Sequence, residues 1–209
     1  MPIHNHQKAV FEVSGPITLP MPDAEVIYQP GFLDADLAYS YLNKLIEICD
    51  WREENVILFG KTFKSPRLIS YYGEQGSDLH YSGISLAPKP WNEPLQAIRQ
   101  AVENYTGLRF NGVLVNYYRN NLDSMSLHSD DERELGPKPV IPSVSLGAER
   151  IFKFRHKFRK DLKPLSLNLG NGSLLLMQGQ TQSFWKHELP KSKIPCGPRI
   201  NLTFRKVSS

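Results

Sequence analysis

Cysteine is nearly missing from these 209 residues, with only Cys49 and Cys196 present. Two cysteines cannot build a disulfide framework, and no Cys/His set stands at a zinc-type spacing, so a reducing, intracellular setting is expected. Long apolar runs are also missing. No stretch approaches the roughly eighteen residues that a membrane-spanning helix needs, so no membrane association is expected. The opening Met1-Pro2-Ile3-His4-Asn5-His6 has no cationic segment followed by an apolar one, so no signal peptide is expected. No internal repeat or low-complexity linker interrupts the chain. A strong excess of charge is absent too: the net charge of +4 is compatible with a polyanionic partner but does not demand one. What is present, 40% hydrophobic and 22% charged residues, excludes a disordered chain. The length suits one domain, residues 1–209, with a single sizeable core.

Residues 1–24 hold four prolines and little periodicity and read as an irregular lead-in. Glu25 to Tyr28 reads as a first strand. Asp34 is an N-cap for a helix to about Asp50, with Leu37, Tyr41, Leu45 and Ile48 as its buried stripe. A second helix is expected from about Asn92 to Tyr105, with Leu95, Ile98, Val102 and Tyr105 on one face and Gly107 closing it. Between the helices, Val56–Phe59 and Arg67–Tyr72 are β-rich runs around a Gly60-Lys61 turn. After Gly107, short β-like runs follow one another: Gly112–Tyr118, Ser143–Leu146, Ile151–Arg155, Leu165–Leu169, Ser173–Gln178 and Arg199–Arg205. Gly170-Asn171-Gly172 reads as a hairpin turn. Strands following helices predict an α+β fold built on a double-sheet jelly roll.

Six histidines occur, and two of them, His128 and His187, lie in the β-rich half outside polar or basic stretches. His80 reads as part of a polar loop and His156 as part of a basic run. His128-Ser129-Asp130 is an H-x-D unit. In an extended chain, residues i and i+2 face the same side, so one imidazole and one carboxylate converge on one ion. A β sandwich can bring the distant His187 to the same place. Two histidines and a carboxylate on one side of an octahedral metal leave positions open for a bidentate 2-oxo acid and dioxygen. The triplet alone is weak, because H-x-D recurs by chance and a strand histidine is usually a packing residue.

The tail strengthens it. In Arg199–Arg205, Arg199, Asn201, Thr203 and Arg205 face one way, and Ile200, Leu202 and Phe204 the other. An ordinary amphipathic strand with a solvated face is one explanation. A guanidinium fork at each end of the polar face suits a small dicarboxylate, and the upstream histidines favour that explanation.

These residues resemble the AlkB family of oxidative dealkylases, especially its eukaryotic-type DNA-repair homologues. The similarity runs over about residues 55–206. Its carriers are Asn116-Tyr117-Tyr118, Leu127–Leu135, Ser143–Gly147, Phe152–Lys157, His187 and Pro198–Arg205. The resemblance implies a double-stranded β-helix (jelly-roll) core over 107–206, flanking N-terminal helices and a nucleotide-recognition lid over 55–85. It implies Fe(II) held by His128, Asp130 and His187, with 2-oxoglutarate and O2 as cosubstrates. Arg199, helped by Tyr118, would take the distal carboxylate of 2-oxoglutarate. Arg205, with Asn116 nearby, would take the carboxylate beside the keto group, and Asn201 and Thr203 would line the same pocket. Asp131 and Glu132 would meet the exocyclic amine of the target base. Tyr81 would stack on a flipped base, and Phe59 would fill the gap it leaves. Arg155 and Lys157, in a basic stretch reaching Lys163, would contact phosphate. The implied activity is oxidative demethylation of N1-methyladenine and N3-methylcytosine in DNA, releasing formaldehyde, by a monomer that is cytoplasmic in a bacterium or nuclear in a eukaryote. RNA as substrate, a protein or small-molecule hydroxylase and a non-catalytic nucleic-acid-binding module are the alternatives.

Overall fold

Alternation decides the architecture. In a strand that packs on both sides, odd and even residues serve different partners. A computed structural model describes residues 15–58, 61–81 and 84–208, and within them the side chains of all but 55–58, 61–63 and 81. The chain runs β1 (Ile17–Thr18), β2 (Glu25–Gln29), α1 (Ala35–Ile48), β3 (Asn55–Leu58), β4 (Lys61–Lys64), β5 (Leu68–Gly73), β6 (Leu79–Tyr81) and β7 (Ile84–Leu86). It continues through α2 (Glu93–Thr106), β8 (Gly112–Tyr118), β9 (Met125–His128), a 3-10 turn (Arg133–Leu135), β10 (Ile141–Gly147), β11 (Arg150–His156) and β12 (Leu165–Leu169). The last elements are β13 (Ser173–Gln178), α3 (Thr181–Phe184), β14 (Trp185–Leu189) and β15 (Arg199–Arg205).

A seven-stranded sheet has the order β1-β2-β13-β10-β15-β8-β5, and a four-stranded sheet the order β12-β11-β14-β9. The named strand pairs are antiparallel, and the two sheets make a double-stranded β-helix of the jelly-roll type. β3–β4 and β6–β7 are separate two-stranded ladders.

One face of the large sheet carries Val113, Val115, Val144, Leu146, Ile200, Leu202 and Phe204, packed with Leu42 and Leu45 of α1 and Leu95, Ile98 and Val102 of α2. The other face carries Leu114, Leu175 and Met177, packed with Phe154, Leu169 and Trp185 on the small-sheet side. Polar side chains of this second face are therefore enclosed between the sheets.

Several expectations change. The buried face of α1 is Ala38, Leu42 and Leu45, whereas Leu37 and Ile48 are exposed. A helix buries a stripe, and here the small Ala38 lets α1 approach the sheet while its larger neighbours look outward. Tyr105 of α2 is likewise exposed and meets Phe32 edge-on. Part of the lead-in is ordered, because β1 pairs with β2 and buries Leu19 and Met21. Gly170-Asn171-Gly172 joins strands of different sheets rather than a hairpin. Gly172 adopts φ +70° there, and Asn171 Oδ1 accepts the Gly147 amide at 2.8 Å. The Asp34 N-cap forms as the sequence requires, its carboxylate accepting the Asp36 and Leu37 amides at 3.0 and 3.1 Å. Gly107 closes α2 in the left-handed conformation.

Candidate metal centre

β9 and β14 pair so that His128 and His187 are direct partners in register, which the sequence separation conceals. Their rings lie 4.3 Å apart. Asp130, just beyond β9, completes the group: its carboxylate is 3.6 Å from His128 Nε2 and 3.8 Å from His187 Nε2. One ligand atom from each of the three lies within 4.8 Å of the others, a set that could hold a metal ion.

The surroundings prepare those atoms. His128 Nδ1 donates to the Ser126 carbonyl at 2.9 Å, which leaves Nε2 as the lone-pair nitrogen facing the carboxylate. His187 stacks on Phe152 at 5.2 Å, and burial, then His128, pulls its pKa down to about 3. It is therefore neutral at pH 7, as a candidate ligand must be. Burial opposes the charge on Asp130, yet Arg205 and the two histidines hold its carboxyl far below the usual range. Arg205 Nη2 donates to Asp130 Oδ1 at 3.0 Å.

A residue that the sequence reading missed fixes the backbone here. Gln182 of α3 is buried, and its Oε1 accepts the Asp130 amide at 3.0 Å. Ser129 Oγ donates to the Trp185 carbonyl at 2.9 Å. No sequence signal marks Gln182, because its partner is a main-chain group 52 residues away. Arg67 was also passed over. Its Nε donates to Asn116 Oδ1 at 2.8 Å, and it shares the inward parity of Ile69 and Tyr71.

A small cavity of about 30 Å³ opens onto the three candidate ligands. Asn116, Tyr118, Asn201, Thr203 and Arg205 line it from the large sheet, with Met125 and Phe152 opposite. Asn201 Nδ2 donates to Ser143 Oγ at 2.7 Å, and Thr203 Oγ1 donates to Asn201 Oδ1 at 3.1 Å. Arg199 does not reach the wall. It sits behind Tyr118, its Cζ 5.3 Å from that ring, fully buried. Its Nη2 donates to Ser145 Oγ at 2.9 Å, and its Nε has no hydrogen-bond partner among the described residues. Burial lowers its pKa to about 10. A buried guanidinium whose only named side-chain hydrogen bond is to a hydroxyl suits a carboxylate guest. Two imidazoles with one carboxylate suit mononuclear iron(II). The residues thus fit both iron and 2-oxoglutarate.

The remaining expected residues lie outside the cavity wall. Glu132 is half-buried and its Oε2 has no hydrogen-bond partner among the described residues; burial pushes its carboxyl up against the pull of Arg205. Asp131 is exposed and bound by Lys157. Arg155 is exposed on β11. His156 is buried in that strand, its Nδ1 accepting the Phe158 and Arg159 amides at 3.2 and 2.9 Å, so its role is structural. His80 lies in β6 and pairs with Glu134, which corrects its loop assignment. Tyr81 ends β6, but its side chain, like the whole of Phe59, lies outside the described residues.

The titration of His187 has a measurable consequence. Between its ordinary value of 6.5 and about 3, the unfolded chain holds a proton that the folded one does not. The unfolded state then binds more protons, so stability falls as pH drops through that window. Urea unfolding of the metal-free protein at pH 7, 6 and 5 should show a slope approaching one proton, about 1.4 kcal/mol per pH unit. A slope that persists unchanged in His187→Leu contradicts this source.

Comparison with known proteins agrees with the geometry. Residues 25–205 match the family model of the 2OG-Fe(II) oxygenase superfamily. The chain is 42% identical over 183 residues to "DNA oxidative demethylase ALKBH2" of Homo sapiens, spanning 85% of this chain and 70% of that one. It is 37% identical over 209 residues to the human "Alpha-ketoglutarate-dependent dioxygenase alkB homolog 3", spanning 96% and 71%. The ALKBH2 of Arabidopsis thaliana is 34% identical, spanning 88% and 67%. The solved structure of OsALKBH1 shares the fold with a TM-score of 0.63 at 17% identity, covering 91% of this chain and 99% of that one. The chain belongs to the 2OG-Fe(II) oxygenase superfamily, among its AlkB homologues.

Proposed function

We propose that this protein is an Fe(II)- and 2-oxoglutarate-dependent dioxygenase that removes methyl groups from ring nitrogens of DNA bases, N1-methyladenine and N3-methylcytosine, releasing formaldehyde. The observation that carries this reading is the His128–Asp130–His187 group, with Asp130 and His187 buried, facing the same cavity as Asn116, Tyr118, Asn201, Thr203 and Arg205. Relatives at 42% and 34% identity bear the name DNA oxidative demethylase.

Bound iron with 2-oxoglutarate and dioxygen supplies oxidation of the N-methyl C–H bond, after which the hydroxymethyl group leaves as formaldehyde. The chain does the rest. His128, Asp130 and His187 hold the metal from one side, and Arg205 keeps Asp130 ionised for it. Arg199, beside Tyr118, would receive the distal carboxylate of 2-oxoglutarate, and Arg205 with Asn116 would serve the one next to the keto group. Met125 and Phe152 form an apolar wall that excludes water from the reacting carbon. Asp131 and Glu132 meet the exocyclic amine of the base, and Arg155 contacts backbone phosphate. The base leaves its stack to reach the metal.

The test is formaldehyde and succinate release from matched single- and double-stranded DNA and RNA carrying one N1-methyladenine. Turnover of the DNA strands with one formaldehyde per lesion is expected. Exclusive turnover of RNA moves the substrate, and coupled turnover on none of the four overturns the reading.

A further inference from the structure

Lys157 was expected to hold phosphate, yet its ammonium is paired with a carboxylate of the protein itself. Its backbone amide, just past β11, donates to the Phe184 carbonyl of α3 at 2.7 Å, which anchors the residue beside the metal-ligand strand β14. Its side chain is only 17% exposed, and Nζ donates to Asp131 Oδ2 at 3.2 Å. A phosphate-binding lysine would extend into solvent. This one occupies the carboxylate that directly follows the candidate metal ligand Asp130.

We propose that Lys157 is a specificity-determining counter-ion: it occupies Asp131 in the free protein and competes with the target base for that carboxylate. This rests on the base-demethylation reading and deepens it. Alkylation at N1 of adenine or N3 of cytosine leaves the ring cationic, with an exocyclic amino group that carries much of the charge. Such a base can displace Lys157, because it brings Asp131 an equal charge and a donor. Once the alkyl group is gone the base is neutral. The pair with Lys157 then re-forms, which favours release of the repaired base. A neutral alkylated base without an amino group, N3-methylthymine, offers Asp131 nothing and leaves the pair intact.

The sign of one substitution separates this from a phosphate contact. Binding is measured by fluorescence anisotropy, with Fe(II) but no 2-oxoglutarate, on single strands carrying N3-methylcytosine or N3-methylthymine. Lys157→Met should tighten the N3-methylcytosine strand by about three- to fivefold, the scale of a partly exposed ion pair. The N3-methylthymine strand should be unchanged, and the salt dependence of both should stay as in the wild type. In an Asp131→Asn background the same lysine substitution should have no effect, and Lys157→Gln should repeat the Lys157→Met result. Equal weakening of both strands with a shallower salt slope would make Lys157 a phosphate contact and overturn the inference. No change on either strand would make the pair a surface contact and overturn it as well. If the wild type binds the N3-methylcytosine strand no better than an unmodified one and releases no formaldehyde from it, the base-demethylation reading fails and takes this inference with it.

Discussion

Replacing His128, Asp130 or His187 by alanine, one at a time, is expected to take turnover below detection while iron binding collapses. Among the described residues these three donors make up the candidate ligand set, so each loss leaves two. The three substitutions differ in their side effects. His128 is partly exposed at the mouth, and its loss costs the fold little. Asp130 is buried and is the counter-ion of the buried Arg205, so Asp130→Ala also leaves a guanidinium in a low-dielectric site and should destabilise the fold by about 3–5 kcal/mol. Asp130→Asn keeps the shape and is the cleaner variant. Activity at saturating iron, read beside thermal unfolding, separates the effects. A variant that keeps near wild-type turnover removes that residue from the ligand set.

Arg199→Met is expected to raise the 2-oxoglutarate KM steeply without loss of fold. The guanidinium is buried behind Tyr118, and no carboxylate among the described residues pairs with it. Removing an uncompensated buried charge relieves desolvation, so the metal-free protein should unfold no earlier than the wild type. The cosubstrate, by contrast, loses the partner of its distal carboxylate, a loss of roughly 2–5 kcal/mol. Arg199→Lys should recover part of this, since it restores charge but not the two-pronged fork. An unchanged KM would remove Arg199 from the cosubstrate site, and a large fall in melting temperature would make it a structural residue.

The strand Arg199–Arg205 shows how much was legible. Its alternation alone assigns Ile200, Leu202 and Phe204 to one face and the four polar residues to the other. The apolar face packs against the helices as that pattern requires. Whether the polar face is wet or enclosed is not in the alternation, and it was the H-x-D unit together with His187 that favoured a cosubstrate pocket over a solvated face. The cap of α1 was equally legible, since Asp34 bonds amides two and three residues away. The buried stripe of α1 was not. Leu37 and Ile48 are as apolar as Leu42, and only the position of the sheet decides which of them are covered.

The sequence by itself determined the alternating strands, the helix caps and the identity of the H-x-D unit, because each depends on residues within a few positions of one another. Only the tertiary structure decided that His187 stands opposite His128 and that Gln182 holds the Asp130 backbone. It also decided that Arg199 and Arg205 are buried and that Lys157 pairs with Asp131. The physical reason is the second sheet. A strand pattern specifies two faces, but it carries no record of which distant strand will cover one of them, and that cover converts a polar face from a solvated surface into a low-dielectric pocket.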